Sequence, residues 1–383
     1  MTELVRSPLR VLHLYRPRLP GARAQSIQVL GTCHGLAQLG CEVTLLADPP
    51  RDHMPVDELP TVEEVLDWYD LPPVAGLDLK LCPTSIPAAE SFWFRKHALI
   101  WLWGALTQHA ERSVILARSK RYVDEYLVLP FGPPVVLEAH EVDSRLVSAR
   151  GEDARPWLKL EQRVLREVDG VVANCAGTLS LLEEVHGSLL PQNRRAVHNA
   201  TNPRRVRDHL PGAGVVVGYA GSLRGFKGIE TLLLAATMLP PGVTLELLGG
   251  TEEERASLGL LPENVRVLGE LPYREVPDRI ARWHAGIIAL DDNLFGARLC
   301  NPLKLFDYRA VGLPLVAADL PSLREVVDAD SCVFYNPGQP RDLARAITEA
   351  LRPERRRGHR WRHLRSWRTR AEEILPVLEA ALR

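Results

Sequence analysis

Apolar residues recur along the chain in short runs, and each run is followed by a stretch with helical spacing of apolar positions. In the first half, the runs "RVLHLY", "CEVTLLA", "SVILARS", "PVVLEAH" and "GVVANC" predict buried strands. A loop rich in proline and glycine, "RPRLPGARAQ", leads from the first run into a helix predicted over about residues 26–39. This alternation indicates a parallel α/β sheet, because parallel neighbours need a crossover helix.

The same pattern returns in the second half. The runs "VVVGYAG", "TLELLGG", "VRVLGE", "AGIIAL", "PLVAAD" and "CVFYN" predict six strands, with helices around residues 228–238, 274–283, 302–311, 321–327 and 340–351. A doubly wound sheet fits this half better than a barrel, whose eight repeats would have to run through the stretch "HNATNPRRVRDHLPGAG". That stretch lacks periodicity and is rich in Pro, Gly and Asn, as linkers are.

The chain of 383 residues is long enough for two domains with substantial cores. We predict a first α/β domain over residues 1–205, a second over 206–360 and a terminal helical segment over 361–383. The segment from about residue 50 to 90, rich in Pro, Asp and Glu, is predicted to be an irregular insertion.

Composition limits the classes of partner. The formal net charge is −1, so nothing points to nucleic acid. The six cysteines form no CxxC pair, which argues against a zinc site and a disulfide framework and favours a cytoplasmic protein. No secretory signal or membrane span is predicted, although the helix "FWFRKHALIWLWGALTQHA" and the arginine-dense end leave a peripheral contact with a membrane surface open.

The first motif with chemical meaning is "GYAGSLRGFKG". Here a buried strand ends at Gly221, a loop carries Arg224 and Lys227, and Gly228 opens a helix. Backbone N–H groups and a positive helix end then face one crevice, which suits an anion. Neither the P-loop nor the GxGxxG pattern is present, and a plain glycine turn with an exposed lysine would give the same letters.

The second motif is "NPLKLFDYRAVGLPLVAADLP". Asn301 and Pro302 suit the cap and first position of a helix, which would leave the N–H groups of Leu303 and Lys304 free. Asp307, one turn later, could accept hydrogen bonds from hydroxyls, or could simply stabilise the first turn. A diphosphate followed by a ribose would satisfy both ends of this helix.

The third motif is "PVVLEAHEVDSRL". His140 follows a first-domain strand at its carboxyl end, where ligands bind in open α/β sheets. A histidine there can hydrogen-bond a sugar or move a proton, and it can equally be an ordinary structural residue.

With these three motifs in this order, the chain resembles the retaining glycosyltransferases of family 4, also called glycosyl transferases group 1. That family has the α/β architecture GT-B, in which two Rossmann-like, doubly wound domains face a central cleft. "PGARAQSIQVLGTCHGLAQLGCEVTLL", "LEQRVLREVDGVVANC", "LFDYRAVGLPLVAADLPSLREVV" and "SWRTRAEEIL" extend the resemblance over nearly the whole chain. It implies an acceptor-side first domain, a second domain that binds the nucleotide-sugar donor, and a terminal helix that returns to the first domain.

The resemblance also implies roles for single residues. Lys227 would bind the donor diphosphate, and Asp307 would stand where the family usually has a glutamate that binds the ribose. His140 would be the active-site histidine near the transferred sugar, and Gly21 would let the backbone approach the donor.

Two positions depart from the family pattern. Ser222 stands where the family often has an arginine, so Arg224 is the candidate to supply that charge. Leu299 replaces the first of two glutamates, so recognition of the sugar must come from elsewhere. The candidates are Asn301, the backbone after it, Asp291 and Asp292.

From this resemblance we expect a metal-independent hexosyltransferase without a cofactor, which moves a sugar with retention onto a hydroxyl of a glycan, lipid or small molecule. The expected catalytic residues are His140, Lys227 and Asp307. The expected substrate-binding residues are Gly21, Gly221, Ser222, Arg224, Asn301, Pro302, Leu303 and Lys304. The alternatives are a nucleotide-sugar epimerase or glycan phosphorylase of the same architecture, and a non-catalytic protein that binds sugars or a membrane surface.

Overall fold

The computed structural model describes residues 7–51, 54–81, 100, 112–126, 132–202, 214–327, 331–356 and 364–383. The chain divides into two compact units. Unit 1 comprises Met1–Ala200 together with Ser366–Arg383, and unit 2 comprises Thr201–Arg365. The boundary predicted after residue 205 lies outside the described residues, as do most of "FWFRKHALIWLWGALTQHA" and residues 357–363.

In the described part of unit 1, seven strands form one sheet in the order β3-β2-β1-β4-β5-β6-β7, and every pair is parallel. The strands are β1 Arg10–Leu14, β2 Glu42–Ala47, β3 Leu77–Leu81, β4 Ser113–Ala117, β5 Val135–Ala139, β6 Gly170–Ala173 and β7 Arg194–Ala196. The helices are α1 Ala24–Gln38, α2 Val62–Trp68, α3 Lys120–Tyr126, α4 Asp143–Ala149, α5 Arg155–Glu167 and α6 Ala176–His186. Short 3-10 turns lie at Val56–Glu58 and Gly187–Leu189.

The prediction of an irregular insertion over residues 50–90 is wrong for its described middle part, which contains α2 and β3. Helix α2 begins with a capping box, in which Thr61 and Glu64 bond each other's backbone N–H groups. Strand β3 is an edge strand whose Asp78 and Lys80 are exposed, so it lacks the continuous apolar run of a buried parallel strand.

In the described part of unit 2, six parallel strands form a sheet in the order β10-β9-β8-β11-β12-β13. The strands are β8 Val215–Ala220, β9 Val243–Leu248, β10 Val265–Gly269, β11 Ala285–Ile288, β12 Leu315–Ala318 and β13 Cys332–Tyr335. The helices are α7 Ile229–Ala236, α8 Glu252–Ala256, α9 Val276–Ile280, α10 Leu303–Ala310, α11 Pro321–Arg324, α12 Pro340–Ala350 and α13 Pro353–Arg356. The 3-10 turns Gly225–Lys227 and Tyr273–Glu275 and the π-helical segment Phe295–Leu299 complete this part.

Both sheets are doubly wound, as predicted. In unit 2 the strand order reverses beside β8, which lies between β9 and β11. Ligands of open α/β sheets bind at the carboxyl ends of the strands where the order reverses. The loop after β8 is therefore the expected ligand-binding end of this unit.

The terminal helix α14, Trp367–Ala381, belongs to unit 1, which confirms the predicted return to the first domain. It packs on α1, where Gly31 and Gly35 leave room for it. A Cβ atom on Gly31 would lie 2.3 Å from the Trp367 ring, and one on Gly35 would lie 2.3 Å from the Trp367 carbonyl oxygen. Glycine at both positions therefore permits the close approach of the two helices.

Candidate functional site

The loop after β8 is held in place by one carboxylate. Glu254 of α8 accepts hydrogen bonds from the backbone N–H of Leu223 and from Nε of Arg224, both at 2.9 Å. The Tyr219 hydroxyl donates to the Ser222 carbonyl at 2.8 Å. Arg224, the candidate to replace the family arginine, is thus already paired, although its side chain is mostly exposed.

Gly221 adopts a φ of +133°, a conformation that L side chains rarely take. A Cβ atom there would lie 3.1 Å from Nζ of Lys304. The loop therefore needs glycine at this position both for its backbone turn and for the lysine beside it.

Lys304 is a partly buried cation for which the described part of the chain supplies no acidic partner. Its Nζ lies 3.4 Å from the centroid of the Tyr219 ring, and no carboxylate in the described part of the chain lies within ion-pair distance. Burial lowers the pKa of Lys304 well below its usual value, and the positive charge of Lys227 lowers it further.

Lys227 lies on the 3-10 turn that follows the same loop. Its Nζ is 4.2 Å from the centroid of the Phe295 ring and 5.0 Å from that of Phe226. Each lysine thus packs on aromatic rings of its own, and the charge of Lys227 acts on Lys304. A bound polyanion would relieve the repulsion between the two charges.

Helix α10 begins one residue later than predicted. Pro302, not Asn301, is the N-cap, and its ring cannot accept a hydrogen bond from the helix. Asn301 is buried before the helix. The N–H groups of Leu303 and Lys304 have no partner among the described residues, so the positive end of α10 has no side-chain cap there.

Asp307 is buried and engaged within unit 2. Its Oδ1 accepts hydrogen bonds from the hydroxyls of Tyr273 at 2.5 Å and Thr201 at 2.6 Å. The carboxylate thus accepts hydrogen bonds from hydroxyl groups of the protein itself. Its role toward a ribose stays a prediction.

Leu299 ends the π-helical segment with a buried side chain, in the place of the family glutamate. Asp291 and Asp292 follow β11, and burial raises the pKa of Asp291 above its usual value. Within the described residues, no group of three His, Cys, Asp or Glu side chains is arranged to hold a metal ion. No helix of the described part is long and apolar enough to span a membrane.

The other two predicted site residues, Gly21 and His140, lie in unit 1. Both backbone polar groups of Gly21 are bonded to the Tyr69 hydroxyl: the N–H donates to it and the carbonyl accepts from it, each at 2.8 Å. His140 directly follows β5, and its Nε2 lies 3.4 Å from Oε1 of Glu138. Burial lowers the pKa of His140 to about 4, with the help of the Arg118 guanidinium and against the effect of Glu138.

A buried carboxylate supports this histidine. Glu138 accepts a hydrogen bond from Gln28 at 2.7 Å and a second from Nη2 of Arg370 on α14, and Nε2 of His13 lies 3.5 Å from it. Burial alone would raise the pKa of Glu138. The close contacts with His13 and His140 and the charge of Arg370 outweigh burial and hold the pKa of Glu138 well below its usual value.

Sequence reasoning missed Glu138 and Arg370. A signal for Glu138 was present: it is the one acidic residue in the run "PVVLEAH", and its spacing of two from His140 puts both side chains on one face of a strand. Arg370 carried no such signal, because it is one of many arginines near the chain end.

Two family models match most of the chain. Residues 24–200 match the model of the "Glycosyl transferase 4-like domain", and residues 214–353 match that of "Glycosyl transferases group 1". A search of curated protein sequences gives no significant match.

Three solved structures are similar over almost their full length. Sucrose-phosphate synthase from Thermosynechococcus elongatus has a TM-score of 0.69 at 18% identity, over 99% of this chain and 95% of that one. Anabaena HepE in complex with UDP and glucose has a TM-score of 0.67 at 15% identity, over 97% and 99%. The catalytic domain of starch synthase IV from Arabidopsis thaliana, bound to ADP and acarbose, has a TM-score of 0.68 at 12% identity, over 98% and 100%.

At such low identity these structures establish the fold alone. The family models cover every strand of the two sheets except β1, and they include Lys227 and Lys304. The chain therefore belongs to the group 1 glycosyltransferases of the family 4 type and has the GT-B fold.

Proposed function

We propose that the protein transfers a sugar from a nucleotide diphosphate sugar to an acceptor hydroxyl with retention at the anomeric carbon, and that unit 2 binds the donor. The observation that carries this proposal is Lys304, which lies against the Tyr219 ring near Gly221, within range of the charge of Lys227 and without an acidic partner among the described residues. Two neighbouring cations at the carboxyl end of β8 form a site for a diphosphate.

Charge development explains why such a site would speed the reaction. As the bond between the sugar carbon and the phosphate oxygen breaks, the bonding electrons move to the diphosphate. Lysine charges and N–H groups already in position stabilise that charge more in the transition state than in the ground state. Lys227, Lys304 and the free N–H groups at the start of α10 supply this stabilisation without a metal ion.

Retention follows from attack on the face that the leaving group departs from. The acceptor oxygen bonds to the sugar carbon, and its proton passes to the departing phosphate oxygen. His140, with a pKa of about 4, is neutral near pH 7 and so acts as a hydrogen-bond partner that orients the sugar. Asp307 binds the ribose in this proposal only if a ribose hydroxyl joins or replaces those of Tyr273 and Thr201.

Two of the similar structures support the choice of donor class. HepE was solved with UDP-glucose, and the starch synthase domain was solved with ADP. The two bases differ, so these relatives favour a nucleotide diphosphate and leave the base of the donor to experiment.

A thermal-shift panel of UDP-, GDP-, ADP- and TDP-sugars tests the proposal, because a ligand that binds only the native state raises the melting temperature. We expect one base to give a clear shift, and the matching sugar to be transferred. Lys227→Ala should lower turnover by about two orders of magnitude or more. Normal turnover of this variant with the identified donor would remove Lys227 from the diphosphate site, and the absence of a shift with all four donors would overturn the proposal.

A further inference from the structure

A cavity of about 250 Å³ opens within unit 1 at the carboxyl ends of its central strands. Tyr15 follows β1, Arg118 follows β4 and His140 follows β5, and all three line it. Its volume lies below the roughly 300–1,000 Å³ of sites for drug-sized ligands, so it has room for about one sugar ring.

Two of the cations at this cavity are already engaged by the protein. Lys120 has its Nζ 2.5 Å from Asp143 and 3.4 Å from Glu161. Burial would lower the pKa of Lys120, but these carboxylates outweigh burial and raise it. Arg118 donates a hydrogen bond to the side-chain oxygen of Gln28 and lies over the ring of Tyr15.

Arg121 is different, because none of the described residues offers a counter-charge to it. Its guanidinium carbon lies 4.6 Å from the centroid of the Trp157 ring, and within the described residues no carboxylate pairs with it. Stacking on the ring fixes the guanidinium plane and leaves its N–H edge available. A planar fork of donors fits the two oxygens of a carboxylate or phosphate.

Glu141 supplies the opposite chemistry. Its side chain is exposed at the cavity and forms no ion pair with the described residues. An ionised carboxylate only accepts hydrogen bonds, so its natural partners here are hydroxyl groups. One wall thus offers a donor fork for an acid and an acceptor for hydroxyls, with His140 in the same cavity.

We propose that this cavity binds the acceptor, and that the acceptor is a single sugar or polyol unit with one phosphate or carboxylate group. Arg121 binds the acidic group, and Glu141 accepts hydrogen bonds from hydroxyls. The assignment as acceptor rests on the proposed glycosyl transfer, whereas the binding of an acid-bearing sugar can be measured without it.

Calorimetric titrations of the full chain test the proposal, with glucose 6-phosphate, glucuronate and glucose as probes. They are run with and without saturating UDP, so that the lysine site of unit 2 does not add to the signal. We expect at least one acid-bearing sugar to bind, and the tighter of the two tells whether a phosphate or a carboxylate is preferred. Arg121→Gln should weaken that binding about tenfold or more, since charge-assisted hydrogen bonds are lost.

Two further variants control the experiment. Arg166→Gln removes an exposed arginine of the same helix as Trp157, away from the cavity lining, and should leave binding unchanged. Arg121→Lys keeps the charge without the planar fork, so this variant should also bind the acid-bearing sugar more weakly. It provides the test if Arg121→Gln fails to fold. Equal binding of glucose, unaltered binding by both Arg121 variants, or binding of neither acid-bearing sugar would overturn the proposal.

The failure of this proposal can be told apart from that of glycosyl transfer. If UDP stabilises the wild-type protein but neither acid-bearing sugar binds, only the acceptor assignment fails. If an acid-bearing sugar binds and no nucleotide does, the cavity is confirmed as a binding site. The proposed glycosyl transfer then fails.

Discussion

Lys304 lies where its charge costs folding free energy. It is largely removed from water, faces a second lysine and has an aromatic ring as its nearest partner. The pKa of Lys304 is lower in the folded than in the unfolded chain, so the full cost in folding free energy applies at any pH below the folded-state pKa. It disappears as pH rises toward the usual lysine value of about 10.4. Such an arrangement is expected where a group is kept for an anionic ligand rather than for stability.

Lys304→Met should therefore separate stability from binding. The variant keeps most of the side-chain volume and loses the unpaired charge, so we expect the ligand-free protein to melt at a higher temperature than the wild type near pH 7. The same variant should lose most of the stabilisation that UDP gives, because the diphosphate loses one of its two lysine partners. Both effects can be measured by scanning calorimetry with and without UDP.

Exposed Lys159 provides the matched control. It lies on α5 in unit 1, and its replacement by Met should change neither the melting temperature nor the response to UDP. A Lys304→Met protein that is less stable than the wild type, or that responds to UDP as the wild type does, would contradict this reading of the site.

At the scale of elements, helix α14 connects the chain end to the strand that carries His140. Arg370 is fully buried and donates hydrogen bonds to Glu138 on β5, Thr32 on α1 and the carbonyls of Val197 and His198. Beside the contacts with His13 and His140, the helix therefore supplies a cation that lowers the pKa of Glu138, and Glu138 contacts His140.

Arg370→Met should lower the free energy of unfolding of unit 1 by about 3–5 kcal/mol, since removal of one partner leaves a buried charge unpaired. Glu138→Gln should cost a similar amount. The double variant should cost less than the sum, by about 1–3 kcal/mol, because the two side chains interact directly. Hydrogen exchange of unit 1 peptides across a urea series measures these values.

The neighbouring Arg368 is the control for this cycle. It lies on the same helix, is exposed and pairs with Glu372. Arg368→Met should cost less than about 1 kcal/mol, as expected for a surface pair. Additive effects of Arg370→Met and Glu138→Gln would show that the ion pair does not couple the helix to the strand.

The helices and strands also show which parts of the structure could be predicted from the sequence. The strands and helices of both sheets were predictable because buried parallel strands are continuous apolar runs and their crossover helices have a different period. Strand β3 was not, since an edge strand with exposed Asp78 and Lys80 resembles a loop in composition. The motifs predicted Lys227 and Lys304 for one site, and the charge of Lys227 does act on Lys304, but their joint role stays a prediction. The partners of Asp307 could not be predicted, because Tyr273 and Thr201 are distant from it in sequence.

For the whole molecule, the two units should differ in acid stability. In unit 1, burial lowers the pKa of His140 to about 4 and lowers that of His34. An unfolded histidine has a pKa near 6.5, so between these values the unfolded chain binds protons that the folded chain does not. The free energy of unfolding therefore falls as pH falls through this window.

A second loss in unit 1 follows at lower pH. Glu138 has its pKa held well below the usual value, and that of Glu161 is lowered to about 2, because contacts with His186, Lys120 and Ser144 outweigh burial. The stability that depressed carboxyl pKa values contribute is present above about pH 4.3 and is lost as pH falls toward the folded-state values.

Unit 2 contains weaker counterparts of these groups. The carboxyl groups of Glu254, Asp319 and Asp342 have pKa values below their usual values. For Glu254 and Asp342, hydrogen bonds outweigh the effect of burial. For Asp319, the largest effect is the hydrogen bond from Arg324. All three side chains are partly exposed to water, which screens their interactions, so we expect each to contribute less to stability than the fully buried Glu138.

We therefore expect unit 1 to unfold first on acidification. Hydrogen exchange followed by mass spectrometry from about pH 7 to about pH 3.5 should show β5 and α1 losing protection at a higher pH than β8 and β11. His140→Gln removes one titrating group and should reduce the pH dependence of unit 1 between about pH 6.5 and 4, with unit 2 unchanged. Loss of protection in unit 2 first, or in both units at one pH, would show that the buried histidines and carboxylates of unit 1 do not govern its acid stability.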